Sequence, residues 1–197
     1  LTDLIKRKKI LPVPLLKGKN KRIRNCIKKR YAQRWKFQKA KELGEMIQID
    51  HMDVTVNSHL RIKEFKAICP ISRIVVSKLY FKATARNGRD FLKHLQKTLP
   101  FKVKSIQTDG GSEFMKEFEQ YCKDENIKMY VLPPRSPKHN GKVERANETY
   151  RYEFYNSYEL PDTMEELKKE FEAFEYHYNN VRPHQALGNS TPMEFYD

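Results

Sequence analysis

The sequence has few residues of the kinds that build disulfide or zinc sites, and it has no long apolar run. Its three cysteines, Cys26, Cys69 and Cys122, are widely separated, and no C-x-x-C pair occurs. This pattern argues against a disulfide framework or a zinc domain and favours a reducing compartment such as the cytoplasm. No segment approaches the roughly 20 apolar residues of a membrane span. The apolar stretch 10–16 contains two prolines and is too short for a signal peptide.

Acidic residues are almost absent from the first 41 positions, where Asp3 is the only one. The same segment holds 16 Lys and Arg residues, whereas the formal net charge of the whole chain is +14. The rest of the chain is therefore close to neutral. A basic segment of this density is typical of proteins that neutralise nucleic-acid phosphates, although a solvated linker would have the same composition.

Residues 19–43 predict a helix, because apolar and aromatic side chains recur every fourth position from Ile23 to Trp35. This helix would either pack on the rest of the protein or lie along DNA. In the second interpretation, the candidate DNA contacts are Arg22, Arg24, Lys28, Lys29 and Arg30. We expect a basic, partly helical arm at 1–43 and a separate core at 44–197.

Strand and helix patterns alternate along the core. Strand patterns occur at 46–56, 61–69, 72–81, 103–108 and 128–132. Helix patterns occur at 88–99, from a cap at Ser112 to Cys122, from near Gly141 to Phe154, and at 164–179. This order predicts an α/β fold with a five-stranded mixed sheet flanked by helices, in which the first three strands form an antiparallel meander.

Three carboxylates, Asp50, Asp109 and Glu144, occur in or next to these elements. Each has an ordinary structural explanation: a strand-edge position, a turn before a glycine, and a helix first turn, where an acid complements the dipole. If the first and fourth strands are neighbours, however, Asp50 and Asp109 come together. Carboxylates without Cys or His partners favour Mg²⁺ or Mn²⁺. Asp53 is a weaker candidate than Asp50, because strand alternation places it on the opposite face.

The sequence around these acids resembles the Asp-Asp-Glu triad of the retroviral-integrase superfamily, particularly the integrase-like transposases of bacterial insertion sequences. The matching stretches are QID ending at Asp50, QTDGGSEF around Asp109 and SPKHNGKVERAN around Glu144. The last two acids are 35 positions apart, which is similar to the spacing in the family. YNNVRPHQALGNSTPMEFY resembles the segment that closes the core of those transposases. The resemblance extends from about Glu45 to the C-terminus.

The resemblance implies a ribonuclease H-like fold with Asp50 on the first core strand, Asp109 at the end of the fourth and Glu144 on the following helix. The three acids would bind Mg²⁺ or Mn²⁺, as two ions in each active site. The implied reaction is metal-dependent cleavage at DNA 3′ ends, followed by transfer of the 3′-hydroxyl into target DNA. The implied partners are element-end and target DNA, with at least a dimer assembled on the DNA. Candidate phosphate contacts are Lys138, His139, Asn140, Lys142, Arg145 and Arg151.

Several features depart from the retroviral pattern. Glu148 is acidic where retroviral relatives often have a DNA-contacting lysine. The His-His-Cys-Cys zinc domain is absent and no helix-turn-helix pattern is visible, so we expect a DNA-recognition domain upstream of Leu1. Two other functions remain open: a ribonuclease H-like nuclease and an inactive nucleic-acid-binding module. A tyrosine recombinase is excluded, because the sequence lacks the Arg, His-x-x-Arg and Tyr constellation of that class.

Overall fold

The computed structural model describes residues 31–34, 39–132, 140–156 and 159–197. Contacts divide the chain into two units, Leu1–Tyr31 and Ala32–Asp197, and every element described below belongs to the second unit. This division lies before the boundary predicted at residue 43. The predicted DNA contacts of the arm lie outside the described residues; they are Arg22, Arg24, Lys28, Lys29 and Arg30.

The helix predicted for residues 19–43 differs from the structure in the part that is described. Gln33–Arg34 form a short strand, and residues 39–43 are loop and turn. The strand pairs in parallel with the edge strand Lys128–Val131. Backbone pairing at an open sheet edge therefore replaces the helix that the four-residue spacing favoured.

Six strands form one mixed sheet in the order β1-β6-β5-β2-β3-β4. β2, β3 and β4 pair antiparallel, as predicted, whereas β5 pairs in parallel with both β2 and β6. The five predicted strands are all present, and the short β1 extends the edge. The bounds are β1 Gln33–Arg34, β2 Ile47–Thr55, β3 Arg61–Ile68, β4 Val75–Tyr80, β5 Ser105–Thr108 and β6 Lys128–Val131.

Helices cover both faces of this sheet. In the described part of the chain they are α1 Ala85–Thr98, α2 Glu117–Asp124, α3 Gly141–Tyr150, α4 Met164–Asn180 and α5 Pro192–Tyr196. A π-helical turn, Arg151–Tyr155, continues α3, and 3₁₀ turns occupy Ser112–Phe114 and Gln185–Leu187. None of the described helices is both long and apolar enough to cross a bilayer.

The core has two layers, one on each face of the sheet. On one face, α3, the π-helical turn and α4 contribute aromatic side chains to an apolar cluster with β2, β3 and β4. Its aromatic members are Tyr150, Phe154, Phe171, Phe174 and Tyr178. On the other face, the buried rings Phe65, Phe91, Phe114 and Phe118 join β3 to α1, the first 3₁₀ turn and α2. Burial on both sides explains why the strands are mostly apolar.

The helix α1 begins three residues before the predicted start at Gly88. Thr84 caps it, since its hydroxyl accepts the backbone N–H of Asn87 at 3.2 Å. Gly88 lies inside the helix, where a Cβ would be 2.5 Å from the carbonyl oxygen of Glu113 and 3.2 Å from a ring carbon of Phe118. This glycine therefore permits close helix packing and does not start the helix.

Two further boundaries differ from the sequence prediction. Ser112 opens a 3₁₀ turn, and α2 begins only at Glu117, because Lys116 has a φ of 49° and interrupts the helix. The C-terminal segment, for which the sequence predicted no helix after residue 179, contains α5. Thr191 and Glu194 form a capping box there, with Pro192 in the first turn, which stabilises a short helix that lacks a long apolar repeat.

Replacing Gly88 with Ala tests the close packing of α1. In an unobstructed helix, Gly→Ala stabilises a protein by about 0.5–1 kcal/mol. At Gly88 we expect the opposite sign, a loss of about 1–3 kcal/mol in the free energy of unfolding, because the new Cβ overlaps the Glu113 carbonyl. Urea denaturation measures this. Gly141→Ala is the matched control, since no atom of another described segment lies within 4 Å of its Cβ position, and it should be neutral or stabilising. A stabilised Gly88→Ala variant would contradict this packing.

Candidate active site

The pairing of β2 with β5 brings the first two acidic candidates together. These strands are parallel neighbours in the register Ile47↔Ile106 and Gln48↔Gln107. Continued two residues beyond this paired stretch, the same register would make Asp50 level with Asp109, which directly follows β5. Neighbouring strands are about 4.8 Å apart, and positions two residues apart share a face. The predicted adjacency of the first and fourth core strands is therefore confirmed.

Asp50 lies in the middle of β2 and is partly buried. One carboxylate oxygen, Oδ1, accepts the backbone N–H of His51 at 2.9 Å. The other, Oδ2, accepts from Nδ2 of Asn147 on α3 at 3.1 Å. The carboxylate of Asp50 is thus fixed by one hydrogen bond from β2 and one from α3. Asp53 is exposed on the other face and pairs with Lys63, which agrees with the predicted alternation.

Asp109 follows the last residue of β5 and is exposed. Its Oδ1 accepts the backbone N–H of Gly111 at 3.0 Å, which closes a local turn. Gly110 has a φ of 86°, a conformation that strains residues with a Cβ. At Gly111 a Cβ would be 2.1 Å from a carboxylate oxygen of Glu113. The shape of this turn therefore requires glycine at position 110, whereas a side chain at position 111 would have to displace the carboxylate of Glu113.

Glu144 lies in the first turn of α3, and that helix is tied to β2 by side chains. The amide oxygen of Gln48, two residues before Asp50, accepts the backbone N–H groups of Lys142 and Val143 at 3.2 and 3.3 Å. These are free N–H groups at a helix start, and Gln48 satisfies them from the strand. Asn147 adds the second link through Asp50. The helix carrying Glu144 is therefore fixed relative to Asp50.

The three carboxylates interact electrostatically. Burial is the main cause that raises the pKa of Asp50 to about 6, and the charges of Asp109 and Glu144 raise it further. The hydrogen bond from His51 opposes this rise. Within the described residues, however, no group of three His, Cys, Asp or Glu side chains is close enough to hold a metal ion. The charges of Asp109 and Glu144 thus act on Asp50, but in the described residues the three acids do not form a closed metal site.

The residues present fit a hard divalent cation. All three side chains offer carboxylate oxygens, the ligands that Mg²⁺ and Mn²⁺ prefer, and no thiolate is among them. Beside Asp50, the amide oxygen of Asn147 is buried without a hydrogen-bond partner in the described part of the chain. A cation would also offset the repulsion that raises the pKa of Asp50. Asp50, Asp109 and Glu144 are the residues that would hold it.

The predicted DNA contacts of this region have different environments. Asn140 is buried, and its side-chain oxygen accepts from Gln107 at 3.4 Å, so this residue packs the start of α3. Lys142, Arg145 and Arg151 are exposed, and Arg145 pairs with Glu148 at 3.0 Å. Lys138 and His139 lie outside the described residues.

A pair on the opposite face of the sheet was not predicted. His51 Nδ1 lies 2.8 Å from Oε1 of Glu113, whose side chain is 6% exposed. The hydrogen bond with Glu113 raises the pKa of His51, and the pKa of Glu113 is lowered although burial opposes this. The pair links β2 to the turn that follows Asp109. Strand alternation places His51 on the face opposite to Asp50, and QTDGGSEF contains Glu113, so both partners could have been identified in the sequence.

A buried charged cluster next to Asp50 was also not predicted. Lys66 is opposite Asp50 on β3, fully buried, and 2.7 Å from Glu64. Its ammonium lies 3.3 Å from the ring centre of Tyr150, and Glu64 accepts from the hydroxyl of Tyr155 at 2.9 Å. Burial lowers the pKa of Lys66 to about 8. The signal was available, since charges two residues apart in an apolar strand share one face.

Comparison with known proteins first identifies the fold. The structure superposes on the HTLV-2 integrase catalytic core domain in complex with magnesium, in its trimeric form, with a TM-score of 0.64 over 81% of this chain and 100% of that chain, at 17% identity. The BIV integrase core gives a TM-score of 0.57 at 20% identity over 78% of this chain and 93% of that chain. The ribonuclease H-like fold of retroviral integrase cores is thus confirmed.

Sequence comparison shows which proteins this chain resembles. A protein of Spiroplasma virus SpV1-C74 named as an integrase, ORF3, is 26% identical over 88% of this chain and 53% of its own length. The transposase InsD of insertion element IS2D from Escherichia coli strain K12 is 34% identical over 45% of this chain and 29% of its own length. Residues 125–192 match the family described as Integrase core domain. This part of the chain is therefore similar to an integrase core domain.

These matches confirm the resemblance to integrases and insertion-sequence transposases that the motifs predicted. The matched segment 125–192 includes Glu144 and the closing motif around Arg182. The chain spans about half or less of the length of these curated relatives. The assignment of individual residues to the reaction therefore stays a prediction.

The acidic cluster predicts an unusual pH dependence of stability. Because the folded-state pKa of Asp50 is raised to about 6, its ionisation opposes folding. The cost appears as pH rises through the unfolded value of 3.8 and is complete above about pH 6. Without metal at about pH 7.5, Asp50→Asn should therefore increase the free energy of unfolding by about 1–3 kcal/mol. The gain should vanish near pH 4, as urea denaturation in EDTA would measure.

Asp53→Asn is the control for that experiment, since Asp53 is exposed on the opposite face and already has a cationic partner. It should produce no comparable gain. Equal effects of Asp50→Asn at both pH values would contradict the charge cluster.

The His51–Glu113 pair predicts a titration with the opposite sign. Since the pKa of folded His51 is raised above 6.5, the pair stabilises the fold at low pH and this contribution is lost as pH rises through the folded value. Glu113→Gln should lower the pKa of His51, as an NMR titration of the ring would measure. Asp53→Asn should lower it less, because Asp53 is 4.0 Å from the ring and contributes least. An unchanged titration in Glu113→Gln would exclude the hydrogen bond as its cause.

Proposed function

We propose that this chain is the catalytic core of a DNA transposase or integrase that cleaves DNA 3′ ends and transfers the 3′-hydroxyl into target DNA. The observation that carries the proposal is the parallel pairing of β2 with β5, whose register, continued two residues further, would make Asp50 level with Asp109. The attachment of α3 to β2 through Gln48 and Asn147 supports Glu144 as the third member. Divalent metal dependence belongs to the same proposal.

The mechanism assigns separate tasks to the three acids. Asp50 is held rigidly by His51 and Asn147, so it is the ligand with fixed geometry. Asp109 and Glu144 are more accessible and would complete the coordination. When bound, two Mg²⁺ or Mn²⁺ ions supply activation of the attacking oxygen and stabilisation of the leaving oxygen. No covalent protein–DNA intermediate is needed.

The substrate class follows from the charge distribution. The basic segment at the N-terminal end and the cations Lys142 and Arg145 beside Glu144 suit a polyanion. Relatives named as integrase and transposase suggest DNA. Joining two element ends requires two active sites, so we infer a dimer or larger assembly on DNA. The HTLV-2 core, reported in dimeric and trimeric forms, is consistent with self-association. We infer a location with the nucleoid in the cytoplasm.

One observation favours a second candidate, an inactive core retained for binding DNA. In the described residues the three acids do not form a closed metal site. Such a module would bind DNA without cleaving it. The experiment below separates the two functions.

The test is strand transfer on a labelled DNA duplex with Mn²⁺. Asp50→Asn, Asp109→Asn and Glu144→Gln should each reduce product formation by roughly 100-fold or more, since residues that act as one catalytic unit fail together. Asp53→Asn is the matched control, because it removes an exposed carboxylate on the opposite face of β2. It should retain the parent activity.

The outcomes separate the candidate functions. Cleavage of an RNA–DNA hybrid without transfer into duplex DNA would support the ribonuclease H-like nuclease. DNA binding without cleavage in any metal, and unchanged by EDTA, would support the inactive module. Unaltered transfer by Asp109→Asn would refute the assignment of the triad.

A further inference from the structure

A cationic cavity lies beside the first turn of α3, close to Glu144 but outside the acidic cluster. Its volume is about 440 Å³, and its lining comes from the turn after β3, the start of α3 and the segment after α4. No carboxylate is among the described residues that line it. The polar side chains among the described lining residues are Arg73, Lys142, Arg145, Tyr178, Arg182, His184 and Gln185.

Arg73 is presented by a tight hairpin turn between β3 and β4. Its φ is 64°, and its backbone N–H donates to the carbonyl of Cys69 at 2.9 Å, while Cys69 N–H donates to Ile74 at 3.0 Å. The side chain is only partly exposed, and burial lowers the pKa of its guanidinium. Its Nε is buried without a hydrogen-bond partner in the described part of the chain. The turn therefore holds a desolvated cation that lacks a counter-charge.

Lys142 brings a second cation to the same cavity. Lys142 lines the cavity from the first turn of α3, and Arg73 lines it from the turn after β3. The two cations therefore border the same space. Neither makes a salt bridge within the described residues, whereas the neighbouring cations do: Arg145 pairs with Glu148, and Arg182 makes a two-pronged contact with Glu153 at 2.6 and 2.8 Å. The uncompensated charge of the cavity is concentrated on Arg73 and Lys142.

Neither His184 nor the first backbone amides of α3 add an available positive charge or donor to the cavity. Burial lowers the pKa of His184, so its ring is neutral near pH 7, and Nε2 lies 3.2 Å from the Tyr178 carbonyl. The backbone N–H groups of Lys142 and Val143 already bind Gln48. An anion in this cavity would therefore be held by the side chains of Arg73 and Lys142, with little contribution from the helix amides.

We propose that this cavity binds a backbone phosphate of DNA, with Arg73 and Lys142 as the binding cations. The inference rests on the proposed function, since it identifies how the substrate is positioned. A guanidinium offers paired donors to phosphate oxygens, and an ammonium offers a point charge. Because Lys142 and Glu144 share the first turn of α3, a strand bound here runs beside the acidic cluster. Arg182, fixed by Glu153, forms the rigid wall of the cavity.

The test measures DNA binding by the full chain in EDTA, so that it does not depend on catalysis. Fluorescence anisotropy of a labelled duplex, titrated at several salt concentrations, gives both the affinity and its salt dependence. Each phosphate contact contributes a slope of about 0.9 to the decrease of log K with log salt. Arg73→Gln and Lys142→Gln should each weaken binding by roughly 3- to 10-fold near 0.1 M salt and make the slope shallower by about 0.9. Arg73→Lys, which keeps the charge, should retain most of the slope.

Arg61→Gln is the matched control. Arg61 is an exposed arginine at the opposite end of β3, so its replacement removes the same charge from the molecule but not from the cavity. Thermal unfolding of every variant checks that the hairpin turn is intact. Because Lys142 is on the surface, Lys142→Gln remains informative if Arg73→Gln unfolds.

Each outcome has a definite meaning. Affinities and slopes of the Arg73 and Lys142 variants that match those of Arg61→Gln would overturn the cavity assignment, while strand transfer by the parent would still support the proposed function. If inorganic phosphate stabilises the parent against heat but the variants bind DNA normally, the cavity takes a free anion and the DNA assignment is wrong. A parent chain that does not bind duplex DNA in EDTA would refute this inference, whereas absence of transfer alone would refute only the catalytic proposal.

Discussion

The parallel pairing of β2 with β5 is the constraint on which the candidate site depends. It sets a register that, continued two residues further, would make Asp50 level with Asp109, and residues of β2 on either side of Asp50 contact other parts of the site. On one face, Gln48 fixes the start of α3 and so positions Glu144. On the other face, His51 binds Glu113 in the turn after Asp109. Gln48, Asp50 and His51 of β2 thus contact α3 on one face and the turn after β5 on the other, because successive side chains of a strand point to opposite faces.

Charge is balanced differently at Asp50 and at the neighbouring residues of β3. Around Asp50, burial and the charges of Asp109 and Glu144 raise the pKa of the Asp50 carboxyl group. The folded structure therefore disfavours the ionised form of this side chain. Immediately beside it, Lys66 and Glu64 neutralise each other inside the protein. Local destabilisation of this kind is common at functional sites, where the groups are arranged for a ligand and not for the stability of the free protein.

Much of this could be predicted from the sequence, because the informative signals were local. The strands had β-branched runs, and Asp50, Asp109 and Glu144 lay at positions where alternation and topology bring side chains together. The sequence did not reveal contacts that depend on tertiary packing. Gly88 was predicted as a helix boundary, but it lies inside α1 and permits the close approach of Glu113. Gln33 lay within a predicted helix, but it pairs with the edge strand β6. The role of Gln48 as a cap for a distant helix has no local signature at all, since the two elements are more than 90 positions apart.

The buried pair Glu64–Lys66 has a consequence for the evolution of this core. Removing either partner alone would leave an uncompensated charge in the interior, which typically costs about 3–5 kcal/mol, whereas replacing both with apolar residues is often tolerated. Intermediates with one substitution are therefore disfavoured. Relatives should carry both charges or neither, and where the pair is absent, the hydroxyl of Tyr155 that donates to Glu64 should be lost as well. The three positions are therefore expected to covary as a unit.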